Sequence, residues 1–426
     1  MKVKNIDLTS FNRMLEALDG MVQHRKRKPA TSRIEQLYPE LIQKYFQRVL
    51  EAHEQGKPII AHGIMFPTEI FYGLDLAPFC FHSGSSMIMF MLKNFDEVLD
   101  TARASGITPE TCSGHICIPG IFIKGWLPKP DFIVWGNEPC DNAGLTGHFL
   151  MDIYDIPGLF LDRPYRYTTD EIEYYTGQLE EVVSILEDRT GHRMDWDRLQ
   201  EAIKLSARFV ELQEEIYQLK KNIPAPSSNR WSNEAMTISW LWYGTPEGIN
   251  FLEAIKDEMN KLLGQGRGFV PEERFRLSSI YTPPVFSFKL LDWMEREYGA
   301  IIVSDPDSSH WPHWKIDFTK PLETVARRYS TLPCGPMQGP LRESWLPETV
   351  QDALEFKVDG AVFWANRGCR HGPAVIKSVV DTLNEKASIP TLVVDCDLHD
   401  PTFISDEDIK GKLEGFFEIL EERERP

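Results

Sequence analysis

Seven cysteines carry the softest donor chemistry of this 426-residue sequence: Cys80, Cys112, Cys117, Cys140, Cys334, Cys369 and Cys396. A thiolate is a nucleophile or a soft-metal ligand, whereas a buried thiol behaves as a small hydrophobe. The count is odd, the spacings are long and irregular, and the start MKVKNIDLTSFNRML has no apolar leader, so a disulfide framework is not expected. Three cysteines stand where a core residue would not. Cys140 follows FIVWGNEP and Cys369 follows AVFWANRG, each just beyond an apolar run, and Cys112 follows GITPET at the mouth of a Gly- and Pro-containing stretch. Loops of this kind position functional groups. Cys80, inside APFCF, reads as core, and Cys396 lies between Asp395 and Asp397, where like charge disfavours a thiolate.

Three thiols from separate loops suit a soft metal site. Zinc ribbons use C-x2-C pairs, and the nearest approach is the C-x4-C of Cys112 and Cys117. His310 and His313, in His-Trp-Pro-His, have no adjoining cysteine and read as loop histidines. A [4Fe–4S] cluster normally takes four thiolates. With three, one iron stays open to water or substrate, a Lewis acid as well as an electron source.

The elements that must hold these loops alternate between strand and helix. Residues 1–50 have apolar positions at helical spacing, with the basic run His24 to Lys28 as a solvated helix end. Short apolar runs at 57–63, 77–81, 130–136 and 156–162 then alternate with helices such as 87–104, the pattern of a parallel sheet. From Thr168 the sequence is charged and helix-periodic, broken at Pro224-Ala-Pro-Ser-Ser and resumed from Asn233 to Leu263. Gly264-Gln-Gly-Arg-Gly-Phe ends that helix instead of opening one, the wrong context for a phosphate loop. Further apolar runs at 280–286, 300–303, 360–364 and 390–395 indicate a second sheet, followed by an amphipathic helix, Glu407 to Glu422. The expected class is α/β, with two Rossmann-like (flavodoxin-like) parallel-sheet domains flanking a cleft. They span 51–167 and 276–426, with a helical N-terminal segment at 1–50 and a helical region at 168–275. Ligands in such folds sit at the C-terminal ends of strands.

Charge narrows the partners. Lys and Arg total 46 against 64 Asp and Glu, a net −18, so neither a nucleic-acid coat nor an anionic membrane surface is an expected partner. With no apolar run of about 18 residues and no leader, a soluble cytoplasmic protein is expected.

Six stretches, in order, resemble the 2-hydroxyacyl-CoA dehydratase and benzoyl-CoA reductase superfamily: HGIMFPTEIFYGLDLAP, ETCSGHICIPG, LPKPDFIVWGNEPCDN, LEDRTGHRMDWDRLQEA, VDGAVFWANRGC and IPTLVVDCDLHDP. The resemblance runs from about residue 57 to 422, and its length and NRGC motif are most similar to the larger, substrate-binding dehydratase subunit.

The resemblance implies that Cys112, Cys140 and Cys369, the trio selected by context, hold a [4Fe–4S] cluster. Cys117 and Cys334 stand as extra ligands if the cluster is a larger double cubane. The implied chemistry is elimination of water from an (R)-2-hydroxyacyl-CoA: one low-potential electron turns the thioester into a ketyl that expels the hydroxyl, and the electron is later returned. A benzoyl-CoA reductase-type or double-cubane reductase is the alternative enzyme, and a non-catalytic electron-relay subunit the alternative of another class. His62, Glu69 and His115 sit in motif loops and are the candidates for proton handling. Trp135 and Trp364 would keep the site dry, and Lys124, Lys129, Arg367 and Arg370 are the local cations for CoA. Two proteins are implied as partners: a related iron–sulfur subunit, or a second copy of this chain, and a separate ATP-dependent iron–sulfur activator. One departure stands out. Asp141-Asn-Ala-Gly-Leu-Thr-Gly-His replaces a bulkier helix of the dehydratases, and its small residues are expected to reshape the cavity beside Cys140.

Overall fold

The computed structural model describes residues 2–3, 5–28, 32–137, 140–164, 168–305, 314–330 and 345–423. Cys334, His310 and His313 lie outside the described residues.

Two four-stranded parallel sheets organise the molecule. The first holds β1 (Ile59–His62), β2 (Ala77–Cys80), β3 (Phe132–Gly136) and β4 (Gly158–Leu161) in the order β2-β1-β3-β4. The second holds β5 (Phe275–Ile280), β6 (Ala300–Ser304), β7 (Gly360–Asn366) and β8 (Thr391–Cys396), in the order β6-β5-β7-β8. The order is the same in both halves, and it reverses direction between the first and third strands of each sheet. That reversal opens a crevice at the strands' C-terminal ends. β1 and β7 are buried along their whole length, which is why their sequences are nearly continuous apolar runs.

Helices enclose the sheets, and their ends follow capping chemistry. Arg33–Gln55 opens with a Ser32/Glu35 capping box and closes at Gly56 in a left-handed conformation. Thr169–Thr190 repeats the device with Thr168, Glu171 and Gly191. One apolar core joins the N-terminal helices, the first sheet and the middle helices, from Phe11 through Ile60 and Phe209 to Tyr329. The second sheet has a core on each face. Ile301 and Val303 enter one and Ala300 and Ile302 the other, the period-two alternation of a strand buried on both sides. β6 is an edge strand, and the carboxamide of Asn229 closes it. Its Nδ2 donates to Ala300 O at 3.0 Å and its Oδ1 accepts from Ile302 N at 2.6 Å, as a neighbouring strand would.

Some boundaries differ from the sequence reading. The strand expected at 280–286 ends where it was to begin, because Pro283 and Pro284 have no N–H for a central ladder, and the pairing lies in FRLSSI instead. The helix expected over 87–104 is two, Phe81–Leu92 and Phe95–Ala104, separated where Lys93 turns left-handed. The helix expected from Asn233 begins four residues earlier, because the Ser228 side chain caps it.

Candidate functional site

Cys112, Cys140 and Cys369 each stand at the start of a helix. Cys112 is the N-cap of Ser113–Ile123 and Cys140 that of Asp141–Tyr154, while Cys369 precedes His371–Ala387 by two residues. Cys140 and Cys369 follow β3 and β7, the third strands of the two sheets, so each sheet offers the C-terminal end of an equivalent central strand. The thiols lie close enough to raise one another's pKa: Cys112 with Cys369 and Cys140, and Cys140 with Cys369. Their segments also touch. A Cβ on Gly368 would meet Cys112 N at 2.5 Å, and Asn142 Nδ2 donates to Gly368 O at 3.4 Å.

Burial holds the Cys112 thiol well above its ordinary value, and Cys140 is pushed up to about 11. The backbone N–H groups of Gly114 at Cys112, and of Ala143 and Asn142 at Cys140, pull the other way. Helix N-termini also favour negative charge. Among the described residues no three His, Cys, Asp or Glu side chains converge closely enough to hold a single metal ion.

His115 joins the site through a chain of hydrogen bonds. Thr146 spends its hydroxyl hydrogen on Asn142 O (2.8 Å), so it accepts from His115 Nδ1 (3.1 Å). That fixes the tautomer and leaves the Nε2 lone pair 3.4 Å from Cys140 Sγ, which donates to it. Burial lowers His115 to about 4, so the ring is neutral. His82 stands edge-on to His115 at 4.9 Å between ring centres and accepts from Ile64 N. His62, at the end of β1, donates from Nδ1 to Gly63 O at 2.7 Å and is also lowered to about 4 by burial. His399 holds Ser86 Oγ at 2.9 Å and is lowered to about 3. All four imidazoles are neutral, but they are not equally placed: His115 reaches Cys140, His82 packs on His115, His399 lies with Cys112 around Gly114, and His62 packs on Phe66 and Phe71. His82 and His399 carried no sequence signal.

Glu69 sits differently. Its Oε1 accepts from Ser206 Oγ (2.7 Å) and its Oε2 from Arg328 (2.8 Å), both fully buried. The Arg328 guanidinium lies over the Tyr243 ring, 4.3 Å from its centre. The carboxylate thus anchors the helix Pro321–Ser330 to the first core.

Asn137 and Asn366 brace the two strand ends. Asn137 bonds Asp162 (3.0 Å) and the backbone of Arg163, and Asn366 bonds Thr282 O (2.8 Å) and accepts from Cys396 Sγ (3.4 Å). Their signal was readable: Trp135, Asn137 and Cys140 repeat the spacing of Trp364, Asn366 and Cys369, a W-x-N-x-x-C motif in each half. Trp135 Nε1 donates to Gly144 O and Trp364 Nε1 to Ser279 Oγ, both at 3.0 Å. Among the small residues after Cys140, Gly147 has a packing role. A Cβ on Gly147 would lie 2.1 Å from the Trp135 ring, so the glycine lets the helix settle on that indole.

Of the extra thiols, Cys117 is buried one turn into its helix, donates to Gly114 O at 3.3 Å and is pushed up to about 12 by burial. Arg367 and Arg370 flank Cys369; the first lies over Phe403 and the second is 3.7 Å from Asp141. Lys124 is at the far end of the helix that Cys112 caps, ~18 Å along its axis. It pairs there with Glu97 at 2.6 Å. Lys129 precedes β3, on the edge away from the thiols.

The sequence profile of the 2-hydroxyglutaryl-CoA dehydratase D-component family matches residues 63–420. The chain is 22% identical over 405 residues to the alpha subunit of (R)-2-hydroxyisocaproyl-CoA dehydratase of Clostridioides difficile, covering 91% of this chain and 96% of that one. It is 22% identical to the alpha subunit of (R)-phenyllactyl-CoA dehydratase of Clostridium sporogenes, covering 87% and 91%. It is also 22% identical to a subunit of the benzoyl-CoA reductase of Thauera aromatica, covering 70% and 72%. Among the described residues no helix is long and apolar enough to cross a membrane.

Proposed function

The chain belongs to the 2-hydroxyglutaryl-CoA dehydratase D-component family, and from that premise we propose that it is the iron–sulfur subunit of a radical (R)-2-hydroxyacyl-CoA dehydratase. It would remove water from a 2-hydroxyacyl-CoA through a one-electron-reduced thioester. The observation that carries this reading is the meeting of Cys112, Cys140 and Cys369, from three distant segments, at the starts of three helices. A spread trio of thiols suits a polynuclear cluster, whose irons each take one thiolate, better than one ion. When bound, a [4Fe–4S] cluster supplies a low-potential electron and an iron open to an oxygen ligand.

The chain's own groups do the rest. The helix N-termini and amide hydrogens of Gly114, Asn142 and Ala143 favour sulfur that has lost its proton. His115 Nε2, 3.4 Å from Cys140, is the acceptor facing that proton. Trp135 and Trp364, both buried, keep water from the strand ends. Arg367 and Arg370 are the cations placed to meet CoA phosphates. With both carboxylate oxygens occupied, Glu69 is a strut in this reading, and proton handling falls to the histidines.

The relatives are themselves named as subunits of larger enzymes, which supports a partner subunit. A second iron–sulfur subunit and an ATP-dependent activator are what this chemistry requires.

Anaerobic reconstitution with iron and sulfide tests the reading. Cys369→Ser should lose the visible iron–sulfur absorbance and dehydration together; an unchanged spectrum removes Cys369 from the ligand set. Reductant consumed in proportion to product would instead support a benzoyl-CoA reductase-type reaction, because a dehydratase returns its electron.

A further inference from the structure

β5 pairs with both β6 and β7, so its C-terminal end opens into the crevice of the second sheet. Its last residues alternate as a strand should: Ser279 meets the Trp364 indole on one face, and Ile280 enters the core on the other. Continued in the same way, residue 281 would fall on the Trp364 side. Tyr281 instead turns left-handed, φ 63°, a conformation that bulky side chains rarely adopt. Its ring stands against Phe363 (5.2 Å between ring centres) and Trp345 (6.1 Å), both in the core that Ile280 enters. Asn366 holds the turn by donating to Thr282 O at 2.8 Å. An aromatic side chain needed only to fill a core would not require such a turn, and strain of this kind collects where a group must be aimed.

The hydroxyl end of the ring lies toward Cys369. Cζ, the carbon that bears the hydroxyl, and Cε1 are 3.6 and 3.7 Å from where a Cβ on Gly372 would stand. Cys369 Sγ is 3.6 Å from the same point, so at most about 7 Å (twice 3.6 Å) separates it from Cζ. Gly372, buried in the first turn of its helix, leaves that corner free of a side chain. The two cations beside Cys369 face elsewhere: Arg367 lies over Phe403, and Arg370 is turned to Asp141. Cys112 and Cys140 are N-caps and draw on the N–H groups of their own helices, whereas Arg370 holds that position after Cys369.

We propose that Tyr281 donates its hydroxyl hydrogen to the sulfur of Cys369 when a cluster is bound, and that this bond sets how readily the cluster is reduced. Tyr281 is a positioning residue in this assignment, which rests on Cys369 being a ligand, as in the function proposed above. A phenol is a donor and a metal-bound thiolate a charged acceptor, the stronger kind of hydrogen bond. Reduction adds negative charge to the acceptor and strengthens the bond, so the bond raises the potential. Hydrogen bonds to sulfur are among the levers that set the potentials of such clusters.

The test is the midpoint potential of the anaerobically reconstituted full chain, read by redox titration of its visible absorbance. Tyr281→Phe keeps the ring against Phe363 and Trp345 and should load the same iron. Its cluster should be about tenfold harder to reduce, a downward shift of about 59 mV for one electron. Placing 3-fluorotyrosine at position 281 nearly preserves the ring's size and makes the hydroxyl more acidic, so the potential should move upward. That second measurement decides the question where Tyr281→Phe does not fold. A Tyr281→Phe equilibrium within twofold of the wild type, or a fluorotyrosine potential that stays level or falls, overturns the assignment alone. Iron lost from Tyr281→Phe at an unchanged melting temperature also overturns it, because Tyr281 would then be holding the ligand loop. A full chain that takes up no iron and sulfide overturns the proposed function, and this assignment with it.

Discussion

Gly368→Ala alters no thiol and no charge, yet under the proposed function it should keep the thiol site from holding a cluster. Gly368 has φ +75°, where an alanine costs roughly 1–2 kcal/mol. Its added Cβ would sit 2.5 Å from Cys112 N, 2.6 Å from Thr111 C and 2.8 Å from Cys112 Cα, all backbone atoms that cannot swing aside. Ordinary contact begins near 3.4 Å, so the segments carrying Cys112 and Cys369 must separate by nearly 1 Å. A metal site needs its donors within about 0.5 Å of the productive geometry. The apo chain should therefore melt only a few degrees lower, while iron and sulfide retained after anaerobic reconstitution fall at least tenfold. Gly177→Ala is the control. It lies inside Thr169–Thr190 with nothing within 4 Å of its Cβ, and should stabilise by about 0.5–1 kcal/mol without touching the iron content. Wild-type iron and sulfide in Gly368→Ala would refute the claim that this contact sets the spacing of the cysteines.

Three further outcomes follow from the geometry. Glu69→Ala strands the buried guanidinium of Arg328 and should cost about 3–5 kcal/mol in urea denaturation, whereas the double variant Glu69→Met, Arg328→Met should be markedly less damaged; single and double variants of equal stability would show that the pair is no anchor. Asn229→Ala leaves Ile302 N–H and Ala300 O open at a sheet edge, which should cost about 2–4 kcal/mol and speed hydrogen exchange at the Ile302 amide. The apo chain should lose stability as acid is added from pH 6.5 toward 4: His62, His115 and His399 titrate near 4, 4 and 3 when folded, so the unfolded chain binds more protons across that window. At about 1.4 kcal/mol per group and pH unit the loss approaches 4 kcal/mol per unit, and a urea midpoint that stays level between pH 6.5 and 5 would show that these rings are not held neutral.

Composition and pattern made much of this molecule readable. Short apolar runs such as IIAH and AVFWAN suit strands buried on both faces, as they prove to be, and their alternation with helical stretches implies parallel sheets. Cys140 and Cys369 could be placed because each follows such a run directly, where a strand's end fixes the position of the next few residues. Pattern misled at 280–286, where IYTPPVF looked like a strand although its two prolines deny it a ladder. Beside Cys140 the sequence shows small residues, and the fold shows what one of them is for: Gly147 lets the helix settle on the Trp135 indole.

Folding in three dimensions decided the rest, because contacts between segments hundreds of residues apart leave no local trace. That Cys112 meets Gly368 depends on the loop after a strand of the second sheet packing on the start of a helix from the first half. Glu69 looked like an acid in a motif loop until Arg328, 259 positions away, was found beside it. His82 and His399 read as ordinary residues, and only packing places their rings around His115 and against Ser86. The sequence by itself determined which residue types could do this chemistry and which strands would carry them. The tertiary structure decided which were brought together, because burial and pairing are properties of the neighbours that a fold supplies.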